Sequence, residues 1–318
     1  MTDVELTVSS GGGPAQEAAA VQPTGDARGS SQWASAWGEL RRNPLFWISS
    51  ALILLFVVMA AVPQLFTSTD PYTADLSRAR EKPSLDGGWF GYDSQGYDVY
   101  ARTIYGARAS ILVGVLATLA TTLLGGLIGL IAGFRGGWLD GVLARVGEIF
   151  FALPLLLGGI LFLYTFPNDL ETPLIVQVLK IVAFLALLGW PNIARLMRSS
   201  VLQVKPNDYV QAARALGASN SRIIYRHILP NSLAPVIIVA TINLGVYISV
   251  EATLSFLGIG LQPPAISWGT AISDASAIGL IRVAPHMLLF PSIFLSLTVL
   301  AFIMLGDAIR DALDPKLR

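Results

Sequence analysis

No cysteine occurs in the 318 residues. That excludes disulfides, thiol nucleophiles and cysteine-ligated metals together. Histidine is nearly absent: His227 and His286 are the only two, so a histidine-rich metal cage has no ligands. Charge is scarce as well. Asp, Glu, Lys and Arg make up 13% of the chain, against roughly 25% in a soluble domain. Neither sign dominates, with 21 basic and 21 acidic residues, so nothing in the balance points to nucleic acid. No G-x-x-x-x-G-K-[ST] phosphate loop is present, and "SGGGP" near the start lacks the lysine and the following helix pattern. H-E-x-x-H, G-x-S-x-G and a paired-carboxylate constellation are missing too. The reading is of a chain with no catalytic residue, no metal site and no cofactor of its own.

What is abundant is apolar sequence, at 53% of the residues. Runs of about 20 apolar residues recur, the length a helix needs to cross a bilayer core. Six transmembrane helices are expected, near 45–66, 108–133, 142–166, 174–196, 232–258 and 286–308. This makes an all-α membrane protein in contact with lipid. Residues 1–31 are rich in Gly, Ala, Ser, Thr and Pro and read as a disordered tail without the pattern of a signal peptide. In 32–44, Trp33, Trp37 and Leu40 share helical spacing ahead of Arg41 and Arg42, which suits an interfacial amphipathic segment; a plain linker fits equally well. A polar segment, 67–107, follows the first span, and a shorter one, 259–285, precedes the last. Residues 309–318 form a polar tail.

Orientation follows from the basic residues. With the N-terminus inside, Arg28, Arg41, Arg42, Arg135, Arg145, Arg195, Arg198, Lys205, Arg214, Arg222, Arg226, Arg310, Lys316 and Arg318 fall on the inner side, 14 in all. The outer side has 6: Arg78, Arg80, Lys82, Arg102, Arg108 and Arg282. Both termini are therefore expected in the cytoplasm, with 67–107 outside, where Asp70, Asp75, Glu81, Asp86, Asp93 and Asp98 also lie.

Single residues inside the runs carry their own expectations. Gly125, Gly129 and Gly133, four apart, make a smooth stripe where another helix can approach. Pro154 and Pro191 are expected to kink or loosen their helices. Glu251 sits late in the fifth span. A lipid-facing carboxylate costs roughly 2.5–3.5 kcal/mol near mid-bilayer, so it should face a cavity, a partner helix or the interface, either as part of a translocation pathway or gate or as a structural hydrogen-bonding group. Lys180 reads as a snorkelling or interhelical charge, Glu148 as facing the bundle near the inner side, and His286 and Trp268 as interfacial.

The longest inner loop, 197–231, contains "QAARALGASNSRIIYRHILPN" (211–231). Asn207 or Asp208 can cap a helix after Pro206. Val210, Ala213 and Leu216 then share a face, and Gly217 suits a left-handed turn. Ser219 can cap a second helix whose apolar side is Ile223, Ile224, His227 and Ile228, with Arg222 and Arg226 elsewhere, and Pro230 is expected to close it. This helix–Gly–helix knuckle fits a groove on a partner or the lipid surface.

The spacing resembles the loop of ABC importer permeases: Glu-Ala-Ala, three residues, Gly, nine residues, Ile, any residue, Leu-Pro. Here the positions are Gln211, Ala212, Ala213, then Gly217, His227, Leu229 and Pro230. Gln211 and His227 depart from the pattern, and a histidine there is familiar in the dipeptide/oligopeptide/nickel branch. "IYGARASILVGV" (104–115), "GFRGGWLDGVLARVGEIFFALPLLL" (133–157), "VEATLSFLGIGLQPPAISWG" (250–269) and "GDAIRDALDPKLR" (306–318) are similar to the same branch, and several motifs in order are more specific than one. Before the second span that branch reads Gly-Thr-Asp…Gly-Arg-Asp, where this chain has "GYDSQGYD" with Tyr92 and Tyr97. The resemblance, over roughly 38–318, implies the transmembrane fold of a type I ABC importer. It implies that 108–308 is the permease core and that the knuckle, with Leu216 and Arg222 among its residues, couples to a cytosolic ATPase. The partners implied are a second homologous permease subunit, two cytosolic ATP-binding subunits and an extracytoplasmic substrate-binding protein or lipoprotein. The substrate class implied is dipeptides or oligopeptides, with nickel or another small solute as the alternative. A stand-alone secondary transporter would show inverted repeats, which are not seen, and an intramembrane enzyme would need the missing catalytic motifs.

Overall fold

A computed structural model describes residues 32–313 apart from Asp86 and Leu170, and the side chains from Ala36 on. The expected tail 1–31, residues 314–318 and Asp86 lie outside the described residues. Everything long in the fold is helix. α1 (Gln32–Leu40) leads into α2 (Pro44–Ala61), which starts sharply: the Asn43 side chain accepts from the Leu45 amide, and Pro44 occupies the first turn. α3 (Val99–Arg135) is capped by Asp98, whose carboxylate accepts from the amides of Tyr100 and Ala101. It begins nine residues before the expected span, because Val99, Ala101, Ile104 and Ala107 bury an apolar stripe ahead of it.

The third span is broken. α4 (Gly137–Phe151) and α5 (Leu155–Thr165) meet at 81°, with Pro154 at the N-cap of α5. A proline there has no amide to donate back and disfavours helical geometry in the residue before it. α6 (Leu174–Val204), by contrast, stays helical through Pro191 and runs eight residues beyond its expected end. α7 (Asp208–Ala215) and α8 (Asn220–Ile223) form the knuckle, and a π-turn (Ile224–Ile228) joins α8 to α9 (Leu229–Phe256). α10 (Trp268–Ala275) and α11 (Ile278–Val283) occupy the polar stretch before α12 (His286–Leu313). Among the described residues, five helices are long and apolar enough to cross a membrane, or six if the bent pair counts as one span. Among the described residues, β pairing is limited to isolated bridges in the segment after α2, such as Ala74 with Tyr97.

α3 and α6 form the central pair. The glycine stripe explains their closeness: a Cβ at Gly125 would lie 2.5 Å from the Trp190 carbonyl oxygen, and one at Gly133 would lie 2.9 Å from Val201 Cβ. A Cβ at Gly129 would run into the Ala194 carbonyl. Around this pair, Val113 and Ala117 pack with Ile181, Phe184 and Leu254. A second core joins Phe56 of α2 to Ile104, Ile248, Trp268 and Phe302. Outside, Leu54, Leu123 and Leu161 are exposed, as expected of a surface that faces lipid.

α1 does more than lie on an interface. Ala36 is buried against Ala312 and Leu313 at the end of α12, so the helix ties the two ends of the described chain together. Two further expectations are corrected. Trp268 is fully buried, with its ring nitrogen donating to the Thr103 carbonyl at 2.9 Å. His286 is buried too, 3.1 Å from the Tyr92 carbonyl. Both look interfacial only while the segment packed over them is unknown. Glu148 lines the space between α3, α4 and α6, the side expected for it, with its side chain half-exposed and paired with Arg145 at 2.8 Å; beside it, Gly147 lies against Trp190 and Pro191 of α6.

Candidate functional site

The knuckle is built from its amide groups upward. α6 ends at Lys205, whose ammonium donates to the Phe134 carbonyl at 2.6 Å, at the C-terminal end of α3 where a cation is favoured. Asn207 takes the extended N-cap conformation ahead of α7 without a side-chain cap bond. Gln211 donates to the Lys205 carbonyl at 3.0 Å, closing the first turn onto the helix before it. Val210 is the buried anchor of α7, among Met197, Val201, Ile223 and Ile228.

The end of α7 is a left-handed cap. The Ala218 amide donates to the Ala213 carbonyl and the Gly217 amide to the Arg214 carbonyl, both at 3.0 Å. Those two bonds define the Schellman arrangement. It requires a positive φ at the residue between, and Gly217 has φ +79°. Ser219 then caps α8 by accepting from the Arg222 amide at 3.4 Å. Ile223 and Ile228 turn inward as expected.

Two details differ from the sequence reading. Leu216 does not share the face of Val210: it is 88% exposed at the tip of the knuckle, since the cap swings it out of helical register. Pro230 does not close the second helix. The chain passes through it into α9, and the Leu229 amide reaches back five residues to the Ile224 carbonyl. Proline lacks an amide and crowds the carbonyl four residues earlier; a wider π-turn relieves both. Tyr225, within that turn and 71% exposed, is a surface residue that sequence reasoning passed over. The Leu-Pro at 229–230 inside an apolar run was the available signal.

The exposed surface of the knuckle therefore carries Ala212, Leu216, Tyr225 and the arginines Arg214, Arg222 and Arg226. His227 is half-buried, with its ring 6.2 Å from that of Tyr209 across the two helices. Leu229 and Pro230 are half-buried at the root. An apolar tip framed by cations is the kind of surface that inserts into a groove.

Glu251 lies elsewhere, at the other end of α9. It is fully buried, and its carboxylate accepts from Ser110 of α3 and Ser255 of α9, each at 2.8 Å. The same hydroxyls continue outward: the Leu261 amide donates to Ser255 at 3.0 Å and the Trp268 amide to Ser110 at 3.4 Å. Glu251 thus pins the 257–268 stretch to the bundle, which is the partner-helix option for this carboxylate. The segment after α2 is pinned separately. Arg78 stacks on the Tyr92 ring at 3.9 Å and Arg102 on Tyr97 at 4.7 Å, while burial pushes the Tyr92 phenol above its ordinary pKa. The two tyrosines so supply platforms for arginines within the chain. Among the described residues no cluster of three or more His, Asp or Glu is placed to hold a metal.

The pattern described as "Binding-protein-dependent transport system inner membrane component" matches residues 125–318. That described as "N-terminal TM domain of oligopeptide transport permease C" matches residues 31–83. The chain is 39% identical over 288 residues to the oligopeptide transport system permease protein OppC of Bacillus subtilis (strain 168), covering 91% of each chain. It is 39% identical over 285 residues to the dipeptide transport system permease protein DppC of the same organism, covering 89% of this chain and 85% of that one. To the glutathione transport system permease protein GsiD of Pectobacterium atrosepticum it is 35% identical over 290 residues, covering 90% and 92%. Among solved structures it is similar to the MetNI methionine ABC transporter in inward facing conformations, with a TM-score of 0.49 and 20% identity over 65% of this chain and 95% of that one.

Proposed function

The chain belongs to the binding-protein-dependent transport system inner membrane component family, and from that premise we propose that it is the multi-pass permease subunit through which an ATP-driven importer passes dipeptides or oligopeptides. The observation that carries this reading is the exposed knuckle at 208–230, with Leu216 at its tip and Gly217 in a left-handed cap. Its shape suits docking in a groove of an ATP-binding subunit. Val210, Ile223 and Ile228 root it against Met197 and Val201, so a displacement of the tip reaches α6 and through it α3.

The working cycle is alternating access. A substrate-binding protein delivers peptide on the side of the 67–98 segment, two ATP-binding subunits close, and the paired knuckles of this chain and a second homologous permease carry that closure to the helices. Hydrolysis belongs to the ATP-binding subunits, since this sequence holds no phosphate loop. The relatives named for oligopeptides, dipeptides and glutathione support a peptide substrate.

The test is reconstitution. The purified chain alone should show no ATPase activity. The chain with a second permease, ATP-binding subunits and a receptor should take up radiolabelled dipeptide in liposomes only with ATP. Uptake by this chain without ATP-binding subunits would overturn the coupling reading. Uptake of nickel and of no peptide by the full complex would move the substrate to the small-solute alternative.

A further inference from the structure

At the knuckle end of the bundle, α3, α4 and α6 enclose a cavity of ≈ 340 Å³. The small residues Gly129, Gly147 and Ala194 leave it open, and Trp190 forms part of its wall. Arg195, Arg198 and Glu148 also line it. These charges differ in what they already hold. Arg198 is neutralised by Asp140 through two hydrogen bonds, one of them 2.6 Å between Nη2 and Oδ2. Arg195 has no acidic partner among the described residues. Its guanidinium lies over the Phe151 ring, 4.5 Å from the centroid. Glu148 pairs with Arg145 alone, in a bridge whose side chains are 82% and 54% exposed, and such exposed pairs hold weakly.

Glu148 and Phe151 are three residues apart on α4 and so share a face. The free cation over Phe151 and the loosely held carboxylate therefore lie on one side of α4, their anchor residues about 4.5 Å apart along its axis. An extended dipeptide spans at most ~7 Å and a tripeptide ~10 Å. We propose that this cavity is a transit subsite for the zwitterionic backbone of a short peptide: the C-terminal carboxylate on Arg195, the N-terminal ammonium on Glu148, and the side chains against Trp190 and the small-residue wall. The inference rests on the peptide-permease reading and adds where the substrate is held. Recognition by the two termini is indifferent to side chains, which suits a path that many sequences must use. An anionic lipid headgroup fits less well, because the Glu148 carboxylate beside the free cation repels a phosphate.

The cavity is also tied to the knuckle. α6 carries Trp190, Arg195 and Arg198 on the cavity wall. The same helix carries Met197 and Val201, against which Val210, Ile223 and Ile228 pack. Movement of the knuckle therefore shifts the wall that bears the carboxylate-binding cation.

The experiment uses the full complex in liposomes with dialanine, N-acetyl-dialanine and dialanine amide, each at a concentration that saturates the receptor. Arg195→Gln should lower dialanine uptake by about tenfold, the scale of one lost charge-assisted hydrogen bond. It should leave uptake of dialanine amide as in the unaltered complex, and Arg195→Lys should recover most of the loss. Glu148→Gln, at an exposed position, should lower dialanine uptake and leave N-acetyl-dialanine unchanged. It carries the test alone if the Arg195→Gln complex does not assemble. An equal loss for all three peptides, or no loss, overturns the subsite. A loss that follows the phosphatidylglycerol content of the liposomes and not the peptide terminus also overturns it, in favour of a lipid headgroup. Failure of the unaltered complex to carry any of the three removes the peptide-permease reading itself, a result distinct from failure of the subsite.

Discussion

At the scale of single residues, Gly217 and Glu251 make opposite demands. Nothing lies within 4 Å of where a Gly217 side chain would begin, yet φ is +79°. Substitution is therefore a matter of backbone strain and not of space. Gly217→Val should cost at least ~1–2 kcal/mol in the cap and tilt α7 against α8, with insertion in the membrane unchanged. Whole-cell uptake should fall severalfold or more at normal protein level. Normal uptake would show that the cap geometry is not used for coupling. Co-purification of the ATP-binding subunits with a non-transporting variant would assign Gly217 to transmission and not to docking. Glu251 is the reverse case, since its surroundings are filled and its backbone is ordinary helix. Glu251→Leu leaves the buried Ser110 and Ser255 hydroxyls without their acceptor, at about 1–3 kcal/mol each. Glu251→Gln keeps an acceptor oxygen. Thermal unfolding in detergent should thus show a clear drop for the leucine variant and a small one for the glutamine variant. Equal drops would mean that the network depends on the carboxylate's charge.

At the scale of elements, the contact of α3 with α6 is set by glycines on one face. Gly125→Ala places a Cβ 2.5 Å from a backbone oxygen that belongs to another helix, so the helices must separate. Such overpacking costs ~1–3 kcal/mol. Gly126, the next residue, has nothing within 4 Å, and Gly126→Ala should be neutral or stabilising by up to ~1 kcal/mol through helix propensity. Melting temperatures of the two variants in detergent check the pair. A destabilised Gly126→Ala beside an unaffected Gly125→Ala would place the helix contact on the wrong face. The stripe itself was legible in the spacing of four. Its partner was not, because any of the other apolar helices could have supplied a facing backbone, and only the packed bundle selects Trp190–Val201 of α6. The π-turn before Pro230 escaped for a related reason. Sequence rules treat a proline as an end of helix, whereas an incoming span can absorb it by widening one turn.

At the scale of the whole molecule, the distribution of Lys and Arg predicts which end of the bundle faces the cytoplasm, and the fold puts the knuckle and the 67–98 segment at opposite ends of it. Leu85, 92% exposed in that segment, is a labelling site in a chain with no native cysteine. Leu85→Cys should react with a membrane-impermeant maleimide in intact cells. A fusion tag at either terminus should be reached by protease only after the membrane is opened. Labelling of Leu85→Cys that requires permeabilisation would invert the orientation, and with it the assignment of the knuckle to the ATPase side.

The amino-acid order by itself determined which stretches are long and apolar enough to make membrane helices, and that Gly217 separates two short ones, but not that the third span breaks into α4 and α5. Each of these depends on local properties: apolar length, capping side chains and the conformational freedom of one residue. It also determined the spacing that relates 211–230 to a known family. Only the tertiary structure decided which way side chains face once helices touch. Trp268 and His286 read as interfacial because amphipathic residues flank apolar runs, yet both are buried beneath α2, α3 or the segment after α2. Arg195 and Glu148 are 47 positions apart, and their meeting in one cavity depends on the packing of α4 against α6 beside the glycine-thin contact between α3 and α6. Local preference acts through neighbours in sequence, whereas a cavity is defined by distant chain segments brought together by packing.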